Sequence, residues 1–227
     1  MRAIIILPIV FILSNGVLIN YSLDRLIFGM RSKFHHKCDT NGGNLTYSNL
    51  KGAVANLYNC VQVKIESLQI LCNKDRAKSY DCYVNFLDKL EKCLEPQEKY
   101  LKDFMLNAHN LTYNKICKMD EETLLGLVSG PADVTCLRHS VVMFEQQMQQ
   151  CLPKLKFVKN LYKHDDVITK VDLCHDIEIL KSCISKKVEP YCQAHENISA
   201  LYNMLLESYL DTCAVDLAPD DIQENLV

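Results

Sequence analysis

The chain has 227 residues, with 25 Lys+Arg against 28 Asp+Glu for a formal net charge of −3. That balance, with no dense basic run, argues against nucleic acid as a partner. Twelve cysteines stand beside only seven glycines and six prolines, a composition rich in cross-links and poor in turns.

At the start, Arg2 precedes an apolar run from Ala3 to Leu13, followed by Ser14, Asn15 and Gly16. A positive start, a short apolar core and small residues at the cleavage offsets make residues 1–16 a secretory signal peptide, cut after Gly16. The run is too short for a bilayer, which takes about 20 apolar residues. The expectation is a secreted, extracellular chain of 211 residues (227 minus 16) with no stable membrane anchor. It keeps all twelve cysteines: Cys38, Cys60, Cys72, Cys82, Cys93, Cys117, Cys136, Cys151, Cys174, Cys183, Cys192 and Cys213. An even number in an oxidising compartment is expected to pair fully into disulfides, although twelve cysteines admit roughly ten thousand pairings. Sequons at Asn20, Asn44, Asn110 and Asn197 are expected glycan acceptors and surface markers, Asn44 the most accessible beside Gly42-Gly43. An unchanged mass of the secreted protein after glycosidase treatment would refute their use.

Residues 17–43 mix apolar and basic side chains, read as an N-terminal segment closed by the turn signal Asn41-Gly42-Gly43. From 44 to 213 the chain reads as one disulfide-linked domain, all-α, with about seven to nine helices. Leu50, Val54, Leu57, Val61, Ile65, Leu68 and Leu71 recur at steps of three and four, an amphipathic stripe. A second helix is expected over 75–94 with Tyr83, Phe86, Leu87, Leu90 and Leu94 inward. Glu95-Pro96 restarts a third, because proline suits a first helical turn, and its stripe is Leu101, Phe104, Met105, Ala108, Leu111 and Ile116. Asp120 is placed to cap a short helix ending near Gly130-Pro131. Val134, Leu137, Val141, Phe144, Met148 and Cys151 mark the next, and Leu155, Val158 and Leu161 a short one. Leu173, Ile177, Leu180 and Ile184, then Ile198, Tyr202, Leu205, Tyr209 and Cys213, mark the last two. The tail 214–227, with Asp220, Asp221 and Glu224, is expected to be acidic and flexible.

Cysteine spacing constrains pairing. Cys174 and Cys183 are nine residues apart, so on one helix they stand about 13 Å apart along the axis and face opposite ways. A disulfide takes Cα atoms within about 7 Å, so each is expected to bridge to a different neighbour. Cys82 and Cys93 share a face several turns apart and are suited to staple one helix to a partner at two heights. Cysteine spacing over 173–213 broadly repeats that over 71–117, which permits a duplication, although the inner gaps differ.

Catalytic frames are scarce. Cys174-His175-Asp176 is similar to the His-Asp pair of secreted phospholipases A2, but the adjacent cysteine pair and the glycine-rich calcium loop are missing. The plainer reading is a capped helix start with His175 and Asp176 in solvent. No HExxH, GxSxG, phosphate-binding glycine loop or EF-hand loop occurs. His195-Glu196 lacks a second histidine at Ser199, and no Cys-x-x-Cys offers thiol catalysis. His35-His36-Lys37-Cys38 has metal-ligating residue types, with Cys38 expected in a disulfide instead. No enzyme activity, catalytic residue, metal or cofactor is therefore expected. Met143, Phe144 and Met148, with Phe104 and Met105, suit an apolar pocket, and suit an ordinary core better.

The frame Cys117, Cys136 after Gly130-Pro131, Cys151, Leu173-Cys174, Cys183, Cys192 and Asn197-Ile-Ser before Cys213 resembles the insect 27-kilodalton haemolymph glycoprotein family. The likeness runs from about Cys38 to Cys213, strongest from Asp81-Cys82 through Leu87-Asp-Lys-Leu-Glu-Lys-Cys93-Leu. It implies a secreted glycoprotein of haemolymph or another insect fluid, with lipids or other apolar small molecules as partners. It brings no binding-residue assignments. The expectation is thus a non-enzymatic carrier of apolar molecules. The rival is a recognition or effector protein, salivary, venom or immune, presenting loops such as 163–166. A large apolar cavity favours the first and a filled core the second.

Overall fold

The computed structural model describes residues 21–60, 70–122, 150–163, 166–185 and 193–215. Among them are seven α-helices and no strand. The expected signal peptide, Cys136, Cys192, Asn20, Met143, Phe144, Met148 and the tail beyond 215 lie outside the described residues. The protein is all-α.

The first helix, α1 (Tyr21–Gly42), covers most of what the sequence presents as the N-terminal segment. Its inward stripe is Met30, Lys33, Phe34, Lys37 and Cys38, spaced as a helix face but interrupted by two lysines. A hydrophobic period scan misses a stripe of that kind. The ammonium groups are satisfied internally. Lys33 Nζ donates to the carbonyls of Asn160 (3.3 Å) and Lys163 (3.0 Å), and Lys37 Nζ meets Glu98 Oε1 at 2.7 Å.

Gly43, at φ 83°, reverses the chain into α2 (Thr46–Cys60), a left-handed conformation that side chains disfavour. Thr46 Oγ1 donates to the Gly42 carbonyl at 2.6 Å and fixes the turn. After a single π turn at Leu71–Asp75 comes α3 (Arg76–Glu91), which buries Ser79, Tyr83, Phe86, Leu87 and Leu90. Glu95 and Glu98 cap each other across a 3₁₀ turn at Pro96–Glu98 and start α4 (Tyr100–Ile116). There Thr112 and Tyr113 are buried where the sequence suggests Leu111, which is half-exposed. A second 3₁₀ turn, Leu152–Lys154, leads into the single-turn α5 (Lys156–Lys159), then α6 (Lys170–Ser185) and α7 (Gln193–Val215). On α7 the buried set is Met204, Leu206, Ser208, Thr212 and Cys213, with Leu205 and Tyr209 partly exposed.

The helices close into a ring. Each of α1, α2 and α3 packs on the next, α4 packs on α7, α7 on α6 and α6 on α5. The segment around α5 returns to α1, where Met30 meets Leu161 with Leu152, Phe157 and Val158 beside them. The approach is tight at Gly29, where a Cβ would stand 2.5 Å from Leu161 Cδ2.

Among the described residues five disulfides stitch the ring, each between different elements: Cys38–Cys93, Cys60–Cys82, Cys72–Cys117, Cys151–Cys183 and Cys174–Cys213. Cys174 and Cys183 go to different neighbours, as their opposed directions require. Cys82 and Cys93 do not staple one partner at two heights. Cys93 lies past the end of α3 at Glu91, so it turns to α1 while Cys82 reaches α2. Cys174–Cys213 ties the last two helices to each other, and Cys151–Cys183 ties α6 to the turn before α5. In both cysteine frames the first cysteine pairs with the last and the second with one upstream, a shared connectivity that spacing alone does not reveal.

Candidate functional site: an apolar cavity inside the helical ring

The ring surrounds a half-open cavity of about 630 Å³, well inside the size range of small-molecule sites. Every helix supplies part of its wall. Met30 and Phe34 come from α1, Phe86 and Leu90 from α3, Leu101, Phe104 and Met105 from α4, and Leu206 and Tyr209 from α7. The returning segment adds Leu152, Leu155, Phe157, Val158 and Ile168, and α6 adds Leu173, Ile177 and Leu180. Phe104 and Met105, read from the sequence as pocket or core, are both: each is buried and each lines the cavity.

Helix α2 carries two stripes. Thr46, Leu50, Ala53 and Leu57 form its buried face. Tyr47, Lys51, Val54 and Tyr58, again at steps of four, three and four, line the cavity with Leu50 and Ala55. The second stripe is partly polar because Lys51 and Ala55 are exposed and Tyr47 and Tyr58 half-exposed. The apolar periodicity of the sequence takes Leu50 and Leu57 from the first stripe and Val54 from the second. The signal for the rest of the second was the matched helical spacing of its tyrosines and lysine.

Among the described residues three charged side chains line the space: Arg31, Lys51 and Asp176. Asp176 is 5% exposed and is engaged with backbone. Its Oδ1 accepts the Lys156 N–H at 2.7 Å and its Oδ2 the Phe157 N–H at 2.8 Å. A carboxylate there satisfies two of the donors that a helix start leaves open. This corrects the solvated reading of Asp176, which sits mid-helix in α6 and caps α5. His175 is exposed and stands 3.8 Å from Glu178. Neighbours in sequence, the two point apart and form no catalytic pair.

The remaining polar groups hold the wall in place. Glu98, fully buried, accepts from Lys37 Nζ and, at 2.8 Å, from the Ile168 N–H through Oε1; its Oε2 accepts the Glu95 N–H at 3.1 Å. Tyr100 donates its hydroxyl to the Ile168 carbonyl at 2.9 Å. Both contacts pin the residue before α6 onto the ring. Burial lowers the Lys33 pKa, partly offset by Asp166 at 3.8 Å. Burial also raises the Tyr83 and Tyr209 phenols, which stay neutral.

The other expected site residues scatter. Cys38 is in a disulfide, and His35 meets Asp39 at 3.3 Å and the Tyr47 ring. Among the described residues no group of three His, Cys, Asp or Glu side chains is placed to hold a metal ion. Asn44 is exposed in the α1–α2 turn, Asn110 is half-buried on α4, and Asn197 belongs to α7. Among the described residues no helix is long and apolar enough to cross a membrane. What the site can do with this inventory is enclose an apolar molecule.

No curated protein and no solved structure matches the chain. A family model does match residues 66–212, which span α3 to α7 and most of the cavity wall. The chain belongs to that family, described as "Protein of unknown function (DUF1397)".

Proposed function

We propose that this protein is a secreted, non-enzymatic glycoprotein that carries lipids or other apolar molecules within the helical ring, in haemolymph or another insect fluid. On this reading it is one of the insect 27-kilodalton haemolymph glycoproteins that its cysteine frame resembles. The observation that carries the proposal is the cavity of about 630 Å³ with its almost wholly apolar wall. An apolar guest seated there gains the dispersion contacts that the facing side chains leave unmade. Each methylene moved from water into such a lining contributes about 0.8 kcal/mol. Five disulfides between elements suit an oxidising compartment and resist collapse of the ring.

The test is lipid extraction and mass spectrometry of natively secreted protein, paired with uptake of the neutral dye Nile red. Val54→Trp, which places an indole in the cavity wall, should abolish uptake while leaving helical circular dichroism unchanged. Absence of co-purifying lipid together with no dye uptake by the wild type would refute the carrier reading.

A further inference from the structure

The cavity's charge is unevenly committed. Asp176, the one carboxylate in the lining among the described residues, is taken up by two backbone N–H groups. Arg31 on α1 and Lys51 on α2 are exposed where they line the cavity. Neither makes an ion pair or hydrogen bond among the described residues. Lys51 Nζ stands over the Tyr47 ring, 5.9 Å from its centroid. The contrast within α1 is direct: Lys33 and Lys37, deeper in the fold, are engaged by internal acceptors. Elsewhere Lys102, Lys115, Lys156 and Lys181 each meet a carboxylate.

An apolar chamber whose uncommitted charges are two cations at a solvent-facing edge has the complement of one ligand type. Resting on the carrier reading above, we infer that the guest is a monoacyl amphiphile with an anionic head, its chain inside and its head at Arg31 and Lys51. The guanidinium offers parallel N–H donors in a fork that matches a carboxylate or phosphate. Lys51 adds a mobile point charge, and the half-exposed Tyr47, one turn before it on α2, adds a hydroxyl donor. A head placed at an exposed edge keeps its remaining oxygens in water, so it avoids the desolvation cost of a buried ion. One chain, rather than two, suits a chamber in the middle of the size range for small-ligand sites.

Calorimetric titration with four twelve-carbon probes separates the possibilities: dodecanoate, dodecyl phosphate, dodecanol and dodecyltrimethylammonium. The anionic probes should bind most tightly and the cationic one least. Added salt should weaken the anions and leave dodecanol unchanged. In Arg31→Gln/Lys51→Gln, dodecanoate affinity should fall about tenfold while dodecanol affinity and the melting temperature hold. Lengthening the chain should tighten binding about fourfold per methylene until the cavity is full. An unchanged dodecanoate-to-dodecanol ratio in the double variant, or equal binding of the cationic probe, would overturn the head-group assignment. With Nile red still bound, that result leaves the carrier reading standing. Failure of every probe and of the dye, on protein with wild-type circular dichroism, sinks both.

Discussion

Lys37 and Glu98 form the most deeply buried ion pair among the described residues. Their side chains are 2% and 0% exposed, and Nζ lies 2.7 Å from Oε1. Glu98 also holds the Ile168 N–H at 2.8 Å and the Glu95 N–H at 3.1 Å, so one carboxylate joins α1, the cap of α4 and the lead into α6. Lys37→Met preserves much of the side-chain length but leaves that carboxylate buried with no counter-charge. Breaking a buried pair from one side costs about 3–5 kcal/mol, because the surviving ion keeps its desolvation penalty. For a domain of this size about 2–4 °C of melting temperature follows each kcal/mol, so a fall of about 6–20 °C is expected. Lys37→Met/Glu98→Gln removes both charges while keeping an acceptor for the Ile168 N–H. It should recover at least about 2 kcal/mol relative to the sum of the single losses. Urea unfolding at neutral pH, disulfides oxidised and followed by far-UV circular dichroism, measures all four corners of the cycle. Additive losses, or a single Lys37→Met loss below about 1 kcal/mol, would refute the claim that the pair is a coupled, desolvated unit. Because Ile168 lines the cavity, Lys37→Met should also reduce dye uptake under conditions where the protein is still folded.

Gly29→Ala should destabilise the protein by about 1–3 kcal/mol, because its Cβ would meet Leu161 at 2.5 Å and this outweighs the better helix propensity of alanine; a melting temperature equal to or above wild type contradicts the tight crossing. Asp176→Ala should cost about 1–2 kcal/mol by uncapping α5, whereas His175→Ala, at an exposed site, should leave the midpoint of urea unfolding unmoved. His109 packs on Tyr83 with ring centroids 4.8 Å apart, and burial, aided by Arg76, lowers its pKa from 6.5 to about 4. The unfolded chain therefore binds the extra proton first. Stability should fall as pH drops from about 6.5 and level off below about 4, by up to about 3 kcal/mol in total. His109→Phe should shrink that component in thermal melts across this range, and an identical pH profile in the variant assigns the acid sensitivity elsewhere.

The sequence by itself determined the helical class and most of the inward faces of α2, α3 and α4, because steps of three and four among apolar residues leave one consistent burial. It also required that Cys174 and Cys183 seek different partners, since nine residues of helix separate and oppose them. Tertiary structure alone decided the rest. The buried face of α1 contains Lys33 and Lys37, whose burial makes sense only once Glu98 and the carbonyls of Asn160 and Lys163, more than sixty residues away, are brought beside them. Asp176 reads as solvated until α5 presents its N–H groups to it. The cavity has no local signature, because Phe104 and Met105 would look the same in a filled core. Whether apolar stripes meet or stand apart depends on how the ring closes, and that is set by pairs distant in the chain: Cys38 with Cys93, Lys37 with Glu98 and Met30 with Leu161. Periodicity is a property of neighbours along the chain, while an enclosed volume is a property of contacts across it.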